Sequence, residues 1–253
     1  MGQRFAGRLV VITGAGGGLG RALAHGFAAE GARLILTDVD AAGLAGTEAE
    51  LAGVKALCAT HLVDLASEPA IELFGAAVCR DHERVDVLVN NAGLAYGEIA
   101  HSFEQLSQEK WLRYFAINSI APLLLAKSLR PALAAAKGVI LNQSSMASYV
   151  PATAYGVTKA TLNSMTYGMA HLFGADGVRV NAIAPGIMET PANKAQLPPE
   201  TYARIQSMQL LKLHGKAQDI VALALFLASD DARFITCEIV SCDAGNGLKG
   251  WRN

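Results

Sequence analysis

A chain of 253 residues with 52 % hydrophobic and 17 % charged side chains can bury a large core unaided, which excludes a disordered or disulfide-dependent protein. The formal net charge of -1, with no cluster of lysines or arginines, argues against a nucleic-acid or membrane-surface partner. No apolar run reaches the roughly 18 residues of a membrane span, and Leu9 to Ile12 is too brief for a signal-peptide core, so a cytoplasmic location is expected.

Short apolar runs alternate with helical patterns along the whole chain. Strands are predicted over Leu9–Thr13, Arg33–Thr37, Lys55–His61, Val85–Asn90, Gly138–Ser144, Arg179–Ile183 and Ile239–Ser241. Their β-branched residues and low polarity suit a parallel sheet buried on both faces. Between them lie helical stretches such as Arg21–Glu30, Pro69–Arg80 and a long one at Gln108–Ala135. This alternation predicts a single α/β domain with a doubly wound, Rossmann-like parallel sheet and right-handed crossovers. The least regular segment, Pro185–Gly215, contains Pro191, Pro198 and Pro199 and reads as a substrate-binding loop or lid.

After the first strand comes Thr13-Gly14-Ala15-Gly16-Gly17-Gly18-Leu19-Gly20, a TGxxxGxG pattern that opens the first helix. Glycine lets backbone approach a pyrophosphate, and a helix N-terminus aims free N–H groups at it. Asp38 ends the second strand, 20 residues after Gly18. A carboxylate there can accept hydrogen bonds from ribose hydroxyls and repels a 2′-phosphate, and no Arg or Lys lies in the glycine turn or directly beside it in sequence. The expected cofactor is therefore NAD.

Tyr155 and Lys159 stand four residues apart at the start of a helical pattern running to about Phe173, hence on one helix face. A phenol with pKa near 10 is a poor acid/base at neutral pH, and a nearby ammonium favours its ionised form. Further motifs surround the pair: Asp64-Leu65, Asn90-Asn91-Ala92-Gly93, Asn118, Ser144-Ser145 and Pro185-Gly186-Ile187-Met188-Glu189-Thr190.

In this order and context the motifs resemble the short-chain dehydrogenase/reductase family over nearly the whole chain. The resemblance implies that Tyr155 is the general acid/base and that Ser145 holds the substrate oxygen. It implies that Lys159 binds the nicotinamide ribose and lowers the Tyr155 pKa, and that Asn118 positions a water in a proton relay. It further implies that Asp64 and Leu65 flank the adenine, that Asn91, Ala92 and Gly93 lie along the cofactor, and that Pro185, Gly186, Met188 and Thr190 serve the carboxamide end. The long helices would bundle between subunits as a dimer or tetramer.

The chain departs from the family pattern in two places. The ten-residue step from Ser145 to Tyr155 is shorter than family members usually show, which leaves Ser144 as an alternative catalytic serine. Near the C-terminus, Cys237 replaces a usual glycine, and the usual Asp-Gly-Gly reads Asp243-Ala244-Gly245, changes expected to bear on assembly. The four cysteines (Cys58, Cys79, Cys237, Cys242) show no CxxC pairing and read as small buried hydrophobes. The six histidines form no metal-spaced cluster. The expected activity is interconversion of a small-molecule secondary alcohol and ketone with NAD; the alternatives are a 3-oxoacyl-thioester reductase and a catalytically silent NAD-binding regulatory protein.

Overall fold

In the computed structural model, which describes residues 3–54, 56–100, 103–190, 195 and 197–246, seven parallel strands form one sheet in the order β3-β2-β1-β4-β5-β6-β7. The strands are β1 Leu9–Thr13, β2 Arg33–Asp38, β3 Cys58–Leu62, β4 Val87–Asn90, β5 Val139–Gln143, β6 Arg179–Pro185 and β7 Ile239–Cys242. Every residue of β1 and β4 is buried, as expected of central strands covered on both faces. Lys55, placed in the third strand by the sequence pattern, lies outside the described residues, and β3 begins at Cys58.

Helices α1 Gly18–Ala29, α2 Ala41–Gly53 and α9 Ala217–Ala228 carry one face of the sheet. That core includes Phe5, Leu23, Phe27, Leu36, Ile220 and Leu227. The other face is covered by α3 Glu68–Asp81, α5 Ala121–Ser128, α6 Arg130–Ala136 and α7 Ala154–Gly174, around Val11, Phe74, Leu88, Leu125, Ile140 and Phe173.

The long helix expected over Gln108–Ala135 is broken into α4 Gln108–Phe115, a π turn at Ala116–Ile120, α5 and α6. Pro131 stands in the first turn of α6, where the missing N–H costs nothing, and Pro122 follows directly on the π turn; inside one continuous α-helix each would remove a hydrogen bond. The segment expected to be irregular contains helix α8, Pro199–Ser207. Pro191 within it lies outside the described residues. The four cysteines are half-buried and unpaired, so they are less enclosed than expected.

β1 is flanked by β2 on one side and β4 on the other, so the chain reverses its winding direction between β1 and β4. A crevice opens at the carboxyl ends of these two strands, because their connections leave toward opposite faces. The glycine turn and the Asn90–Gly93 segment border it.

Candidate active site

The cofactor side of the crevice is built on close backbone approach. Gly14 takes φ +67, and a Cβ there would lie 2.8 Å from the Cα of Ala92. A Cβ on Gly20 would meet the Gly14 carbonyl oxygen at 2.0 Å, so the first turn of α1 can lie against the glycine turn only without a side chain. Gly17 and Gly18 differ: nothing lies within 4 Å of a Cβ on either, so their absent side chains leave open space. Gly17 is the N-cap of α1 and offers no side-chain cap, whereas Asp40, Ser67, Ser107 and Thr153 cap α2, α3, α4 and α7. Open space beside uncapped N–H groups at the positive end of a twelve-residue helix is a fitting cradle for a pyrophosphate.

Asn91 and Thr13 brace this cradle. The Thr13 hydroxyl accepts from the N–H groups of Asn91 and Ala92, both at 3.0 Å. The Asn91 side-chain amide donates to the Thr13 and Gly14 carbonyls at 2.9 and 3.2 Å. Asn91 thus ties the end of β4 to the glycine turn. Leu19 packs its side chain into the core and has only backbone to offer.

At the far end of the crevice, Asp38 accepts from the N–H of Gly16 at 2.8 Å and from those of Val39 and Asp40 at 2.7 and 3.0 Å. A groove of about 310 Å³ runs from Asp38 and Val39 past Asp64 and Leu65 to Gly93 and Leu94. Gly14, Gly17, Asn91 and Ala92 also line it. The structure adds a cation here that linear neighbourhood did not reveal. Arg21, from α1, donates to the carbonyls of Gly16 and Gly43 at 2.7 and 3.1 Å and pairs with Glu50 at 2.9 Å. It therefore holds Gly16 by its carbonyl while Asp38 holds the same residue by its N–H, and its charge is met by Glu50.

The reacting side is assembled from α7, β5, the π turn and the segment after β4. Ser145, N-cap of a 3₁₀ turn at Met146–Ser148, accepts from the Ala147 N–H at 3.2 Å and lies near enough to the Tyr155 phenol to favour its ionised form. Ser144 is buried, and its hydroxyl donates to the Asn163 Oδ1 at 2.6 Å, away from Tyr155. Lys159 is buried, with its ammonium 5.8 Å from the centre of the Tyr155 ring and donating to the Gln143 carbonyl at 2.6 Å. Burial lowers the Lys159 pKa to about 8. Burial also raises the Tyr155 phenol above its ordinary value, with the Ser145 hydrogen bond acting in the opposite sense. The lowering of Tyr155 by Lys159 expected from the sequence is thus not what this arrangement shows: desolvation outweighs the other effects.

Asn118 occupies the middle of the π turn, and single π turns within α-helices often mark functional positions. Both N–H groups of its carboxamide are engaged, and its oxygen accepts one hydrogen bond. Oδ1 accepts from the Leu94 N–H at 2.7 Å, and Nδ2 donates to the Leu94 carbonyl at 2.9 Å and to the Thr158 hydroxyl at 3.0 Å. Thr158 in turn donates to the Tyr155 carbonyl at 2.9 Å. Gly93 closes the cluster, since a Cβ there would lie 3.2 Å from the Asn118 Oδ1 and 3.3 Å from the Lys159 Nζ. Asn118, Lys159, Tyr155 and Ser145 are therefore brought together around the end of β4.

At the end of β6, Pro185 is buried, and the next residue, Gly186, packs so tightly on Asp243 that a Cβ would lie 2.7 Å from its Cα. Met188 bridges to Gly215, and the Glu189 N–H donates to the Gly215 carbonyl at 2.6 Å. Thr190 lies near enough to the Tyr96 phenol to oppose the upward shift that burial gives it. Sequence reading missed Leu94, Gln143, Thr158 and Arg21 and gave Thr13 no role of its own. Leu94 and Gln143 act through backbone atoms and Thr13 and Thr158 through single hydroxyls, which leave no mark on a residue pattern, while Arg21 reaches Gly16 and Gly43 only through the fold.

The comparisons agree with this geometry. A family model described as enoyl-(acyl carrier protein) reductase matches residues 14–246. The meso-2,3-butanediol dehydrogenase of Serratia marcescens is 32 % identical, covering 96 % of each chain. The 2,5-dichloro-2,5-cyclohexadiene-1,4-diol dehydrogenase of Sphingobium indicum is 35 % identical over 97 % of this chain and 98 % of its own. Among solved structures, a 7 alpha-hydroxysteroid dehydrogenase complexed with NADH superimposes with a TM-score of 0.88 at 28 % identity, covering 96 % of each chain. A 3-oxoacyl-[acyl-carrier protein] reductase with bound NAD from Brucella melitensis gives 0.86 at 29 % identity over 97 % of this chain and 93 % of its own. Matched along nearly its full length in sequence and in fold, the chain belongs to the short-chain dehydrogenase/reductase family of oxidoreductases.

Proposed function

We propose that this oxidoreductase interconverts a secondary alcohol and a ketone with NAD, Tyr155 carrying the proton. The observation that carries the reading is the contact of Ser145 with Tyr155 beside the buried ammonium of Lys159, at the end of a groove with an open pyrophosphate cradle. When bound, the dinucleotide supplies a carbon centre that accepts or gives hydride. The chain's part is orientation and one proton. Ser145 and Tyr155 present two hydroxyls to one substrate oxygen, where charge builds as the C–H bond breaks. Tyr155 takes the alcohol proton during oxidation and returns it during reduction. Lys159, held on the Gln143 carbonyl, supports the charged phenol, while Asn118 fixes Leu94 and Thr158 around it. With both amide N–H groups used, Asn118 would hold a water through its backbone or the second lone pair of Oδ1.

Asp38 supports NAD over NADP, because a 2′-phosphate would meet a carboxylate held by three N–H groups. Asp64 and Leu65 are assigned to the adenine, and Pro185, Gly186, Met188 and Thr190 to the carboxamide end, with Pro185–Gly215 as the substrate-covering segment. A homo-oligomer, dimer or tetramer, is supported by Leu112 on α4, Ile120 in the π turn and Tyr167 and Leu172 on α7, all exposed in the protomer. Leu125 on α5 and Leu162 and Met169 on α7 are instead buried within the protomer. No described helix is long and apolar enough to cross a membrane.

A second reading, reduction of a 3-oxoacyl thioester, is favoured by the Brucella reductase with bound NAD. A silent regulatory role fits poorly with an intact Ser145–Tyr155–Lys159 group. Assay of secondary alcohols, ketones and a 3-oxoacyl thioester by NADH absorbance decides among the three. Turnover of simple alcohols is expected; activity confined to the thioester, or absent throughout, would overturn the proposal.

A further inference from the structure

We propose that the amino edge of the sheet, opposite the cofactor groove, carries a second binding site, for a multivalent oxyanion of the phosphate class. The inference is independent of the alcohol–ketone reading. A depression of about 260 Å³ at this edge is lined by Arg8, Arg84, Lys137, Arg179 and Arg233. Each cation comes from a different junction of the fold. Arg8 directly precedes β1, Arg84 stands before β4, Lys137 before β5, Arg179 opens β6, and Arg233 lies between α9 and β7. No run of basic sequence brings them together; the parallel sheet does, by starting all these strands at one edge. The glycine turn and the Asn90–Gly93 segment follow the carboxyl ends of β1 and β4, so the two sites stand at opposite edges.

The same lining holds two carboxylates, Asp86 and Asp230, so five cations face two anions, on a chain whose net charge is -1. Both carboxylates are already engaged. Asp86 is buried, pairs with Arg84 and accepts from the Leu9 N–H at 2.9 Å, while Asp230 pairs with Arg8 at 2.5 Å. Among the described residues, no carboxylate lies within ion-pair distance of Lys137, Arg179 or Arg233. Arg179 is the most constrained of the three. It is half-buried, and its guanidinium donates to the Ser229 and Ile235 carbonyls, both at 3.1 Å. These neutral acceptors fix its position without cancelling its charge. Burial lowers its pKa, with Asp230 acting in the opposite sense from beyond pairing distance. An enclosed cation without a counter-ion is costly, and a bound anion relieves that cost. One fixed guanidinium flanked by two unpaired side chains suits an oxyanion with several charges and several acceptor oxygens. A single carboxylate would leave most of the excess unmatched.

The test is thermal unfolding with saturating NADH, which keeps phosphate out of the pyrophosphate cradle, while inorganic phosphate is titrated against sodium chloride and sodium acetate of equal ionic strength. Phosphate should raise Tm saturably by at least about 3 °C over chloride, and acetate by less than about half as much. The double variant Lys137→Gln/Arg233→Gln removes two exposed, unpaired cations, so folding is not at stake. It should weaken the apparent phosphate affinity at least about tenfold and leave the NADH Kd, read by fluorescence, at the wild-type value. A phosphate response no larger than that to chloride, one matched by acetate, or one that the double variant keeps would overturn the inference, whatever the enzyme proves to oxidise.

Discussion

The hydroxyl of Ser144 donates to the Asn163 carboxamide at 2.6 Å, while the next side chain, Ser145, turns the opposite way to meet Tyr155. Successive residues at a strand end point to opposite faces, so only one of the pair can serve the substrate. Asn163 passes the connection on to the Ser148 hydroxyl at 2.9 Å, and Ser148 donates to the Ser145 carbonyl at 2.6 Å. Ser144 therefore holds the turn on which Ser145 rides. Ser145→Ala should lower kcat/KM by roughly a hundredfold or more. Ser144→Ala should cost less than about tenfold in kcat/KM but ~0.5–1.5 kcal/mol of stability, because the half-buried Asn163 oxygen loses its donor. Kinetics and denaturant unfolding of the two variants check this, and a larger kinetic loss from Ser144→Ala would reassign the serine.

Tyr155→Phe removes the proton carrier and leaves the pyrophosphate cradle untouched. Turnover should fall by about 10²–10⁴-fold, with NADH affinity nearly unchanged. Alcohol oxidation in the wild type should rise through the alkaline range, since burial raises the Tyr155 phenol and lowers Lys159 to about 8. The two groups are close, so the apparent pKa belongs to the pair. A pH–rate profile of kcat/KM, and retention of less than a tenth of kcat in the variant, are the measurements.

Discrimination between the two dinucleotides is expected to rest on Asp38. Its carboxylate is held in place by the N–H groups of Gly16, Val39 and Asp40, so it cannot swing away from a 2′-phosphate. NAD should be favoured at least about tenfold in kcat/KM, about 1.4 kcal/mol. Asp38→Asn keeps one acceptor oxygen and loses the charge, which should narrow the ratio. Arg21 should not rescue NADP binding, because its guanidinium is spent on Gly16, Gly43 and Glu50. Equal wild-type efficiency with NADP would refute this account.

Much of this was legible in the sequence where chemistry and pattern coincide. The buried strands announce themselves by unbroken apolar runs, and β1 falls on the residues its pattern marks. The glycine turn, Asp38 and the Tyr155–Lys159 spacing are likewise visible because each needs particular residue types at fixed separations. What was hidden depends on hydrogen bonds between side chains and backbone. The Asn118 clamp on Leu94 could not be read from either residue, and the π turn inserts one residue into a periodicity too weak to register it. Pro122 and Pro131 were the available signal for the broken helix. The direction of the Tyr155 shift was missed because a sequence shows nearby charge but not burial.

Two replacements of glycine leave a measurable strain. Cys237 and Ala244 stand where the family usually has glycine, and both adopt left-handed backbone, at φ 66 and φ 54. That conformation costs a non-glycine residue ~1–2 kcal/mol, part of which is regained because glycine loses more freedom on folding. The backbone is not free to relax: the Cys237 N–H donates to the Val180 carbonyl at 2.8 Å, and the Ala244 carbonyl accepts from the Leu211 N–H at 3.0 Å. Ala244→Gly should therefore stabilise the protein by ~0.5–1 kcal/mol, or about 1–4 °C in Tm, and Ala244→Val should destabilise it. Cys237→Gly should act in the same direction. Calorimetry on the three variants provides the check.

The buried ammonium of Lys159 makes a last prediction about stability rather than rate. Its folded pKa of about 8 lies below the ordinary 10.5 because burial disfavours the charged form. Below pH 8 both folded and unfolded chains carry the proton, and the folded state bears the full cost of an enclosed charge. Between pH 8 and 10.5 the unfolded chain holds more proton than the folded one, so this group makes stability rise with pH across that window. A displacement of this size corresponds to ~3 kcal/mol at most. The Tyr155 phenol, raised by burial, works in the opposite sense near and above pH 10, where the unfolded chain loses its proton first. The informative comparison is the difference between wild type and Lys159→Met, in which every titrating group but the Lys159–Tyr155 pair is common to both. Methionine fills the space without charge, at the cost of leaving the Gln143 carbonyl without the ammonium that donates to it. Relative to Lys159→Met, the wild type should gain ~1–3 kcal/mol as pH is raised from 7.5 to 10, measured by urea unfolding at intervals. Parallel curves for the two proteins would show that Lys159 keeps its solution pKa and that burial does not perturb it.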